Sequence, residues 1–329
     1  MNKKLLAIAL SAAALSSTAT AAEIYSDDTY SLSMGGRFDA RAVFNTDAPE
    51  GESSAIDRTR IRLNLGGNMQ LTDNLYGIGF WEGEMTSAGD QGDNGNVNNR
   101  FAYAGIGGDF GRVVFGKSHG ALGMLTDTTD ILHFHGNEVG GKIAAGDRTG
   151  SNLSYLGSFE VGGNNLVLRA NYAFDIATQD TTSSNSEGYS VGAMYNMEMG
   201  LGFGIGHAEQ NRVDDEKQTQ SFASITYQTG GLYLAGLYQD SSNFRDFAGQ
   251  EVEESTGYEL TAAYTIDKLR IAATHNYLED TERNLDVKDM VAVEAAYYFK
   301  PNFRVFTSYK FEGIEGKSDQ VMVGTRFLF

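Results

Sequence analysis

The sequence predicts an all-β chain, folded as a 16-stranded antiparallel transmembrane β-barrel. Alternation of apolar and polar residues recurs along most of its 329 residues, and the helix period is nearly absent. The last nine residues, Val321 to Phe329, still alternate, so the chain ends inside a strand. The predicted connections are alternately short and long, as expected of a barrel whose two rims face different compartments.

The N-terminus predicts export. Lys3 and Lys4 precede the apolar run Leu5 to Leu15, and Ala19-Thr20-Ala21 forms an A-x-A cleavage site. We therefore expect residues 1–21 to be a cleaved signal peptide and residues 22–329 to form one barrel domain. The chain has no cysteine, so no disulfide framework stabilises it.

Composition narrows the class further. The net charge of −18 disfavours nucleic acid as a partner and also disfavours anionic lipid surfaces. Forty glycines and 17 tyrosines suit strands, tight turns and interfacial aromatic residues. Beyond the leader, no run approaches the roughly 18–20 apolar residues of a transmembrane helix.

The clearest alternation lies between Arg58 and Leu65. Arg58, Arg60 and Arg62 share one face, opposite Ile61, Leu63 and Leu65. Repetition of this pattern gives sixteen strands, over residues 30–44, 58–66, 75–85, 99–107, 111–118, 151–157, 165–174, 187–196, 200–209, 218–228, 231–240, 256–266, 268–278, 288–299, 302–312 and 319–329. A barrel of this size leaves a water channel, whereas eight strands would fill their own interior.

One face of each strand suits lipid. Tyr258, Leu260 and Tyr264 share a parity, and Glu259 lies on the opposite one. The shortest predicted connections lie around residues 70–74, 107–111, 197–200, 228–231, 266–268 and 300–302. The intervening loops are longer and acidic, including 214–216 and 251–254.

The longest connection, residues 118–150, is too apolar for a loop bathed in water. Folding it inward as a constriction loop would cover its apolar side chains and narrow the pore. Its carboxylates Asp127, Asp130 and Glu138 would then face the arginine ladder. The alternative is an ordinary surface loop that packs on itself.

Four segments of the sequence resemble the trimeric general diffusion porins of the Gram-negative outer membrane, in particular the vibrio-type branch. They are residues 74–82 (NLYGIGFWE), 99–108 (NRFAYAGIGG), 115–120 (FGKSHG) and 129–132 (TDIL), together with the terminal Phe329. The resemblance covers essentially the whole chain after the leader. It implies an acidic loop in the lumen, opposed by arginines on the wall, and assembly as a homotrimer.

The resemblance also assigns positions. It implies that Arg37, Arg62, Arg100 and Arg148 form the basic wall, and Asp130 matches the first acid of the loop. Glu82 matches a lumen carboxylate. The chain departs from the family where Pro-Glu-Phe-Gly-Gly is common, because residues 133–137 read HFHGN. Glu138 and Asp127 are therefore candidate substitutes for the second loop acid.

Together these features predict a non-enzymatic outer-membrane channel for small hydrophilic solutes and ions, without a cofactor. Opposed charges across a narrow neck orient dipolar solutes, and acidic loops at the mouth enrich cations, which predicts a mild cation preference. Acidic loops could also bind divalent cations that bridge to lipopolysaccharide. A weak alternative reading of His133-x-His135 beside Asp130 is a metal site.

Besides a secondary role of the long loops as an adhesin or phage receptor, two other functions stay open. A sugar-selective porin would need a line of aromatic residues along the lumen, whereas most aromatic residues here share the lipid-facing parity. An outer-membrane barrel enzyme would need a nucleophile and a base at the rim, and neither His207 nor His275 has a Ser or Asp partner in a sequence motif.

Overall fold

The computed structural model describes residues 21–47, 55–86, 97–176, 186–211, 217–243 and 252–329. The signal peptide expected at residues 1–21 therefore lies outside the described residues except for Ala21. Among the described residues, no helix is long and apolar enough to cross a membrane.

Strands make up most of the described chain. They are β1 (Ala22–Ser26), β2 (Tyr30–Asn45), β3 (Ala55–Asp57), β4 (Arg60–Gln70), β5 (Leu75–Thr86), β6 (Asn98–Gly108), β7 (Gly111–Ser118), β8 (Thr149–Val161), β9 (Asn164–Ile176), β10 (Ser186–Asn196), β11 (Leu201–Asn211), β12 (Lys217–Thr229), β13 (Leu232–Ser242), β14 (Glu254–Ile266), β15 (Leu269–Asp280), β16 (Leu285–Lys300), β17 (Phe303–Glu312) and β18 (Gln320–Leu328).

These segments occupy sixteen positions in one closed antiparallel sheet, which confirms the predicted fold class. From β4 to β18 each strand pairs with the next. β3 and β4 both pair with β2 and share one position. β1 and β18 pair with successive parts of β2 and share another. Sequence alternation did not identify the short strands β1 and β3.

The chain closes the barrel with its own C-terminus. The Gly36 N–H donates to the Phe329 carbonyl at 2.9 Å, and the Phe329 N–H donates back to the Gly36 carbonyl at 3.1 Å. The Phe329 ring lies 5.4 Å from the Phe38 ring, centroid to centroid. The apolar terminal strand therefore completes the wall that begins with β2.

Within the described residues, the β1–β2 turn (residues 27–29) lies at one rim together with seven tight connections from β4 onward, between β4 and β5 and then between every second pair of strands up to β16 and β17. The sequence indicated six of them. The seventh joins β8 to β9 through Gly162 and Gly163, whose φ angles of 59° and 82° suit a two-residue hairpin turn. Glycine adopts these angles without steric cost.

Adjacent residues face opposite environments. Leu260 is 55 % exposed on the outer face of β14, whereas Glu259 beside it is fully buried inside the barrel. Tyr264, Phe299 and Phe327 are exposed on the outer face near the rim with the short turns. This distribution gives the barrel an apolar outer surface with aromatic residues at the level of a membrane interface.

Candidate functional site

The long loop between β7 and β8, residues 119–148, lies inside the barrel. It contains one turn of α-helix, α1 (Gly123–Thr126), whose residues Met124 and Leu125 are buried, and a 3-10 helical turn at Ala144–Gly146. Leu122, Leu125 and Ile143 pack against wall residues that include Phe222 and Leu278. The apolar side chains that made this loop unsuitable for open water are therefore covered by the barrel wall.

Polar side chains of the wall also bind the loop backbone. The Val139 and Gly140 N–H groups donate to Glu259 Oε1 at 2.9 and 3.0 Å. The Ile143 N–H donates to Gln220 Oε1 at 3.1 Å, and the Ala145 N–H to Gln210 Oε1 at 3.1 Å. We call these residues, with two more wall side chains that act similarly, the loop seat: Gln210, Gln220, Glu259, Asn276 and Glu294.

The opposite side of the lumen carries the predicted arginines. We call this set the arginine wall: Arg37 on β2, Arg60 and Arg62 on β4, Arg100 on β6, and Arg148 just before β8. Strand pairing places Arg37 directly opposite Arg62. Arg100 on β6 lies on the same part of the wall, because only β5 separates β6 from β4.

Wall carboxylates lie between these arginines. Arg100 Nε lies 2.7 Å from Glu82 Oε1, and Arg62 Nε donates to Glu84 Oε2 at 2.9 Å. Glu82 also lies 3.7 Å from Arg62 Nε. Glu82, expected as a lumen carboxylate, is 6 % exposed and lies within the arginine wall rather than across from it.

A cavity of about 190 Å³ separates the arginine wall from the loop. Its lining includes Arg37, Arg62, Arg100 and Arg148 on one side, and Asp127, Asp130, Asn137 and Lys142 on the other. The side chains of Asp127 and Asp130 are exposed to this space. The structure thus places both loop acids opposite arginines, without an ion pair from either acid to the residues described.

The narrow neck shifts proton affinities on the loop. Desolvation raises the pKa of Asp127 and of Asp130, although both side chains remain partly hydrated. Lys142 opposes both shifts, and Arg169 opposes that of Asp127. At Asp147 burial also acts to raise the pKa, but Lys142 and Arg148 outweigh it and the pKa is lowered. The loop therefore carries carboxylates with different proton affinities.

Two predicted site residues lie away from this cavity. Glu138 is on the far side of the loop, where its carboxylate lies 3.4 Å from Lys288 Nζ and 3.9 Å from Lys310 Nζ. Arg60 is on the arginine wall but does not line the cavity, since its Nε lies 3.2 Å from Asp39 Oδ2. Asp127, rather than Glu138, shares the cavity with Asp130.

The loop tip, where the chain departs from the family pattern, packs against β16–β18. His133 donates its backbone N–H to Glu294 Oε2 at 2.8 Å, and its Nδ1 lies 2.7 Å from Oε1. His135 Nδ1 lies 2.8 Å from Ser308 Oγ. The two imidazoles thus have different partners. Between them, the Phe134 ring lies 5.1 Å from Arg41 Cζ, at stacking distance.

Burial lowers the pKa of both tip histidines. The pKa of His135 falls to about 4, mainly through burial and with a contribution from Lys310. Burial lowers the pKa of His133 as well, although its contact with Glu294 opposes the shift. Both imidazoles are therefore neutral near pH 7.

Sequence reasoning missed several side chains around the neck. Arg169, Lys142 and Asp147 line the cavity, and Asp39 joins two residues of the arginine wall, Arg37 and Arg60, to Arg326 of β18. Alternation could have indicated two of these, because Arg169 shares the inward parity of β9 with Asn171, and Asp39 shares that of β2 with Arg37. Lys142 and Asp147 lie on the loop, where alternation gives no direction.

Two histidines have partners that no local motif indicated. His207 Nδ1 lies 2.9 Å from Ser221 Oγ, and His275 Nε2 lies 3.1 Å from Asp289 Oδ1. The expectation that neither had a Ser or Asp partner considered only neighbours in sequence. Cross-strand pairing brings each pair together, β11 with β12 and β15 with β16. The two pairs lie on different strands and do not form one site.

A closed 16-stranded barrel with an apolar outer face, and with a loop that narrows its charged lumen, defines a porin of the outer membrane. The model of the Gram-negative porin family matches residues 7–316. The chain belongs to this family.

Relatives match along nearly the whole length. Porin-like protein L of Photobacterium profundum is 46 % identical over 352 residues, covering 100 % of both chains. Outer membrane protein U of Vibrio parahaemolyticus is 39 % identical over 337 residues, covering 98 % of this chain and 94 % of the relative. These relatives agree with the resemblance to vibrio-type porins.

Solved structures share the fold. Salmonella typhi OmpF, in complex with daunomycin, aligns with a TM-score of 0.79 at 22 % identity, covering 94 % of this chain and all of that chain. A trimer form of Vibrio cholerae OmpT aligns with a TM-score of 0.65 at 16 % identity, covering 92 % and 100 %.

Proposed function

We propose that this protein is a passive channel for ions and small hydrophilic solutes, with a mild preference for cations. The observation that carries this proposal is the neck itself, where Asp127 and Asp130 face Arg62 and Arg100 across a cavity of about 190 Å³. Opposed charges create a transverse field in the neck, so hydrated and dipolar solutes pass more readily than apolar ones of equal size.

The cation preference has two supports. The chain carries a net charge of −18, which attracts cations toward the pore mouth. In the neck, Asp127 and Asp130 lack ion-pair partners among the described residues, whereas Glu82 and Glu84 offset part of the arginine charge. The loop acids are therefore the carboxylates available to a passing cation.

Single-channel recording in a salt gradient tests this function. We expect stable conductance steps and a reversal potential whose sign indicates cation selectivity. In a separate liposome assay, we expect solute uptake to fall steeply as solute size increases. An anion-selective reversal potential contradicts the cation preference alone. Absence of conductance at every voltage contradicts the channel.

The lumen argues against a sugar-selective porin. Among the described residues its aromatic side chains form separate groups: Phe80 and Tyr103 with Phe101 and His119, Phe134 with Tyr298 and Phe306, and Phe222 and Tyr233 packed against the loop. A sugar path would use a continuous line of aromatic surfaces. A barrel enzyme is also disfavoured, because the two outer histidine pairs do not combine into a nucleophile, a base and an orienting acid.

We also propose a homotrimer embedded in outer-membrane lipid and lipopolysaccharide, made after removal of residues 1–21. Membership of the porin family and the trimer form of the OmpT neighbour support the assembly. Pairing of Ala22 with Met34 at the start of β1 supports a mature chain that begins there. Light scattering in detergent and N-terminal sequencing of the purified protein test these points.

A further inference from the structure

Arg304 is a lumen arginine whose Nε has no hydrogen-bond partner among the described residues. Arg304 is the second residue of β17 and points inward, and it is 9 % exposed. Its guanidinium forms no hydrogen bond or ion pair with the residues that the structure describes, and Nε is fully covered. A buried cation without an acceptor costs several kcal/mol in general, so its retention calls for a physical reason.

The surroundings of Arg304 add positive charge. Its Cζ lies 4.8 Å from the centre of the Tyr298 ring, on the neighbouring strand β16. On the other side, strand pairing places Arg326 of β18 directly opposite. Two guanidinium groups therefore lie side by side on the lumen wall, with one aromatic face beside them.

The nearby carboxylates are already bound. Asp39 Oδ2 lies 3.1 Å from Arg326 Nη2, 3.1 Å from Arg37 Nε and 3.2 Å from Arg60 Nε. One carboxylate thus serves three arginines.

Glu294 is the other acid of this region. It accepts a hydrogen bond from the His133 backbone N–H, and its Oε1 lies 2.7 Å from His133 Nδ1. Arg270, which points inward two strands away, donates to the Ile131 carbonyl at 2.8 Å rather than to an acid. This patch of wall therefore carries more positive than negative charge, unlike the chain as a whole.

The position in the barrel is also informative. Arg304 follows the short turn between β16 and β17, so it lies near the rim with the tight connections. In membrane barrels this rim faces the periplasm. A solute that has passed the neck meets Arg304 before it leaves the channel.

We propose that Arg304, with Arg326 and Tyr298, forms a binding subsite for the carboxylate group of small organic anions on the periplasmic side of the constriction loop. The guanidinium fork of Arg304 matches a carboxylate in two parallel hydrogen bonds. Tyr298 holds the fork in place by stacking. The subsite deepens the proposed channel function and depends on it, since it names one class of solute that the pore receives.

Succinate and succinamide form a matched pair of probes, because they are similar in size and differ in charge. We expect succinate, added to the periplasmic side of single channels in potassium chloride, to reduce conductance in a saturable way, and succinamide to have no such effect. Arg304→Gln should weaken the apparent affinity for succinate at least fivefold. Lys300→Gln removes the same charge from the exposed end of β16, so it serves as the matched control and should leave the affinity unchanged.

Arg304→Lys provides a second variant if Arg304→Gln folds poorly. It keeps the positive charge, but we expect it to lose most of the affinity for succinate, because lysine lacks the guanidinium fork. Equal block by succinamide, or an unchanged affinity in both Arg304 variants, overturns the subsite while potassium chloride conductance still supports the channel. Loss of all conductance in the unmodified protein overturns both proposals.

Discussion

The arginine wall and the loop seat lie on opposite sides of one lumen and use carboxylates in different ways. On the arginine wall, Glu82 and Glu84 pair with guanidinium groups beside water. In the loop seat, Glu259 and Glu294 are almost fully buried and accept hydrogen bonds from the loop backbone and from loop side chains. The arginine wall sets the electric field across the neck, and the loop seat holds the constriction loop in position.

The largest effect should come from removing Glu259. Its carboxylate accepts the N–H groups of Val139 and Gly140 and contacts the Thr129 hydroxyl. At about 1 kcal/mol for each of these three hydrogen bonds, Glu259→Ala should loosen the loop by roughly 3 kcal/mol. Single channels should then show frequent transitions between conductance levels.

Glu160→Ala is the matched control for this variant, since Glu160 is exposed at the end of β8, away from the loop. Its recordings should look like those of the unmodified protein. If Glu259→Ala channels are equally quiet, the loop is held by its apolar side chains and the buried carboxylate is not needed.

Acidification should loosen the same loop at its tip. The pKa of His135 is lowered to about 4, below its ordinary value of 6.5, so the folded state favours the neutral imidazole. This contribution is complete above pH 6.5 and is lost progressively as the pH falls toward 4. At pH 5 the expected loss is about 2 kcal/mol, at 1.36 kcal/mol per pH unit below 6.5.

Channel noise recorded from pH 7.5 to pH 4 measures this loss, and we expect it to rise below pH 6.5. His135→Gln keeps a polar side chain near Ser308 but does not titrate, so it should flatten this part of the profile. His207→Gln is the control, because His207 lies on the outer side of the sheet. A profile that His207→Gln alone flattens contradicts the role of the loop tip.

The neck charges should shift ion selectivity by a smaller amount. A unit charge roughly 6 Å from a permeating ion in water contributes about 0.7 kcal/mol, which corresponds to about a threefold change in the permeability ratio. Asp130→Asn should therefore lower the preference for cations, and Arg100→Gln should raise it. Reversal potentials in dilute potassium chloride measure both, and high salt should reduce both shifts.

Glu160→Gln removes a charge far from the neck and should leave the reversal potential unchanged. Shifts of the same sign in Asp130→Asn and Arg100→Gln would show that the two charges do not act as opposite sides of one field.

Much of this organisation could be predicted from alternation alone. The predicted strand at residues 256–266 became Glu254–Ile266, and the inward parity of Glu259 followed from the same pattern. The short strand Ala22–Ser26 was missed, because five residues directly after the leader give too little periodicity to recognise.

The partners of the inward side chains were harder to predict, because they depend on register and on the path of the loop. The resemblance to porins indicated Glu82 as a lumen carboxylate but did not reveal that Arg100 on the next strand would bind it. Glu138 and Asp127 were equivalent as loop acids until the loop packed against the wall, which turned Glu138 toward Lys288.

The smallest shift should come from restoring an acid at the loop tip. Phe134 is the second residue of the HFHGN segment, and its ring lies 5.1 Å from Arg41 Cζ. Arg41 donates to the Arg58 and His133 carbonyls, so a new carboxylate at position 134 would find a guanidinium that has no ion pair with an acid among the described residues. Because the two charges would pair, Phe134→Glu should raise the cation preference by less than about twofold.

Phe134→Gln provides the matched control, since it removes the ring and adds no charge. The difference between the two variants in reversal potential isolates the effect of the carboxylate, and both lose the packing of the ring. A shift as large as that of Asp130→Asn would mean that the new carboxylate stays unpaired and faces the solute path. In that case the stacked Phe134 keeps Arg41 available to the lumen, and the altered loop tip itself reduces the cation preference of this porin.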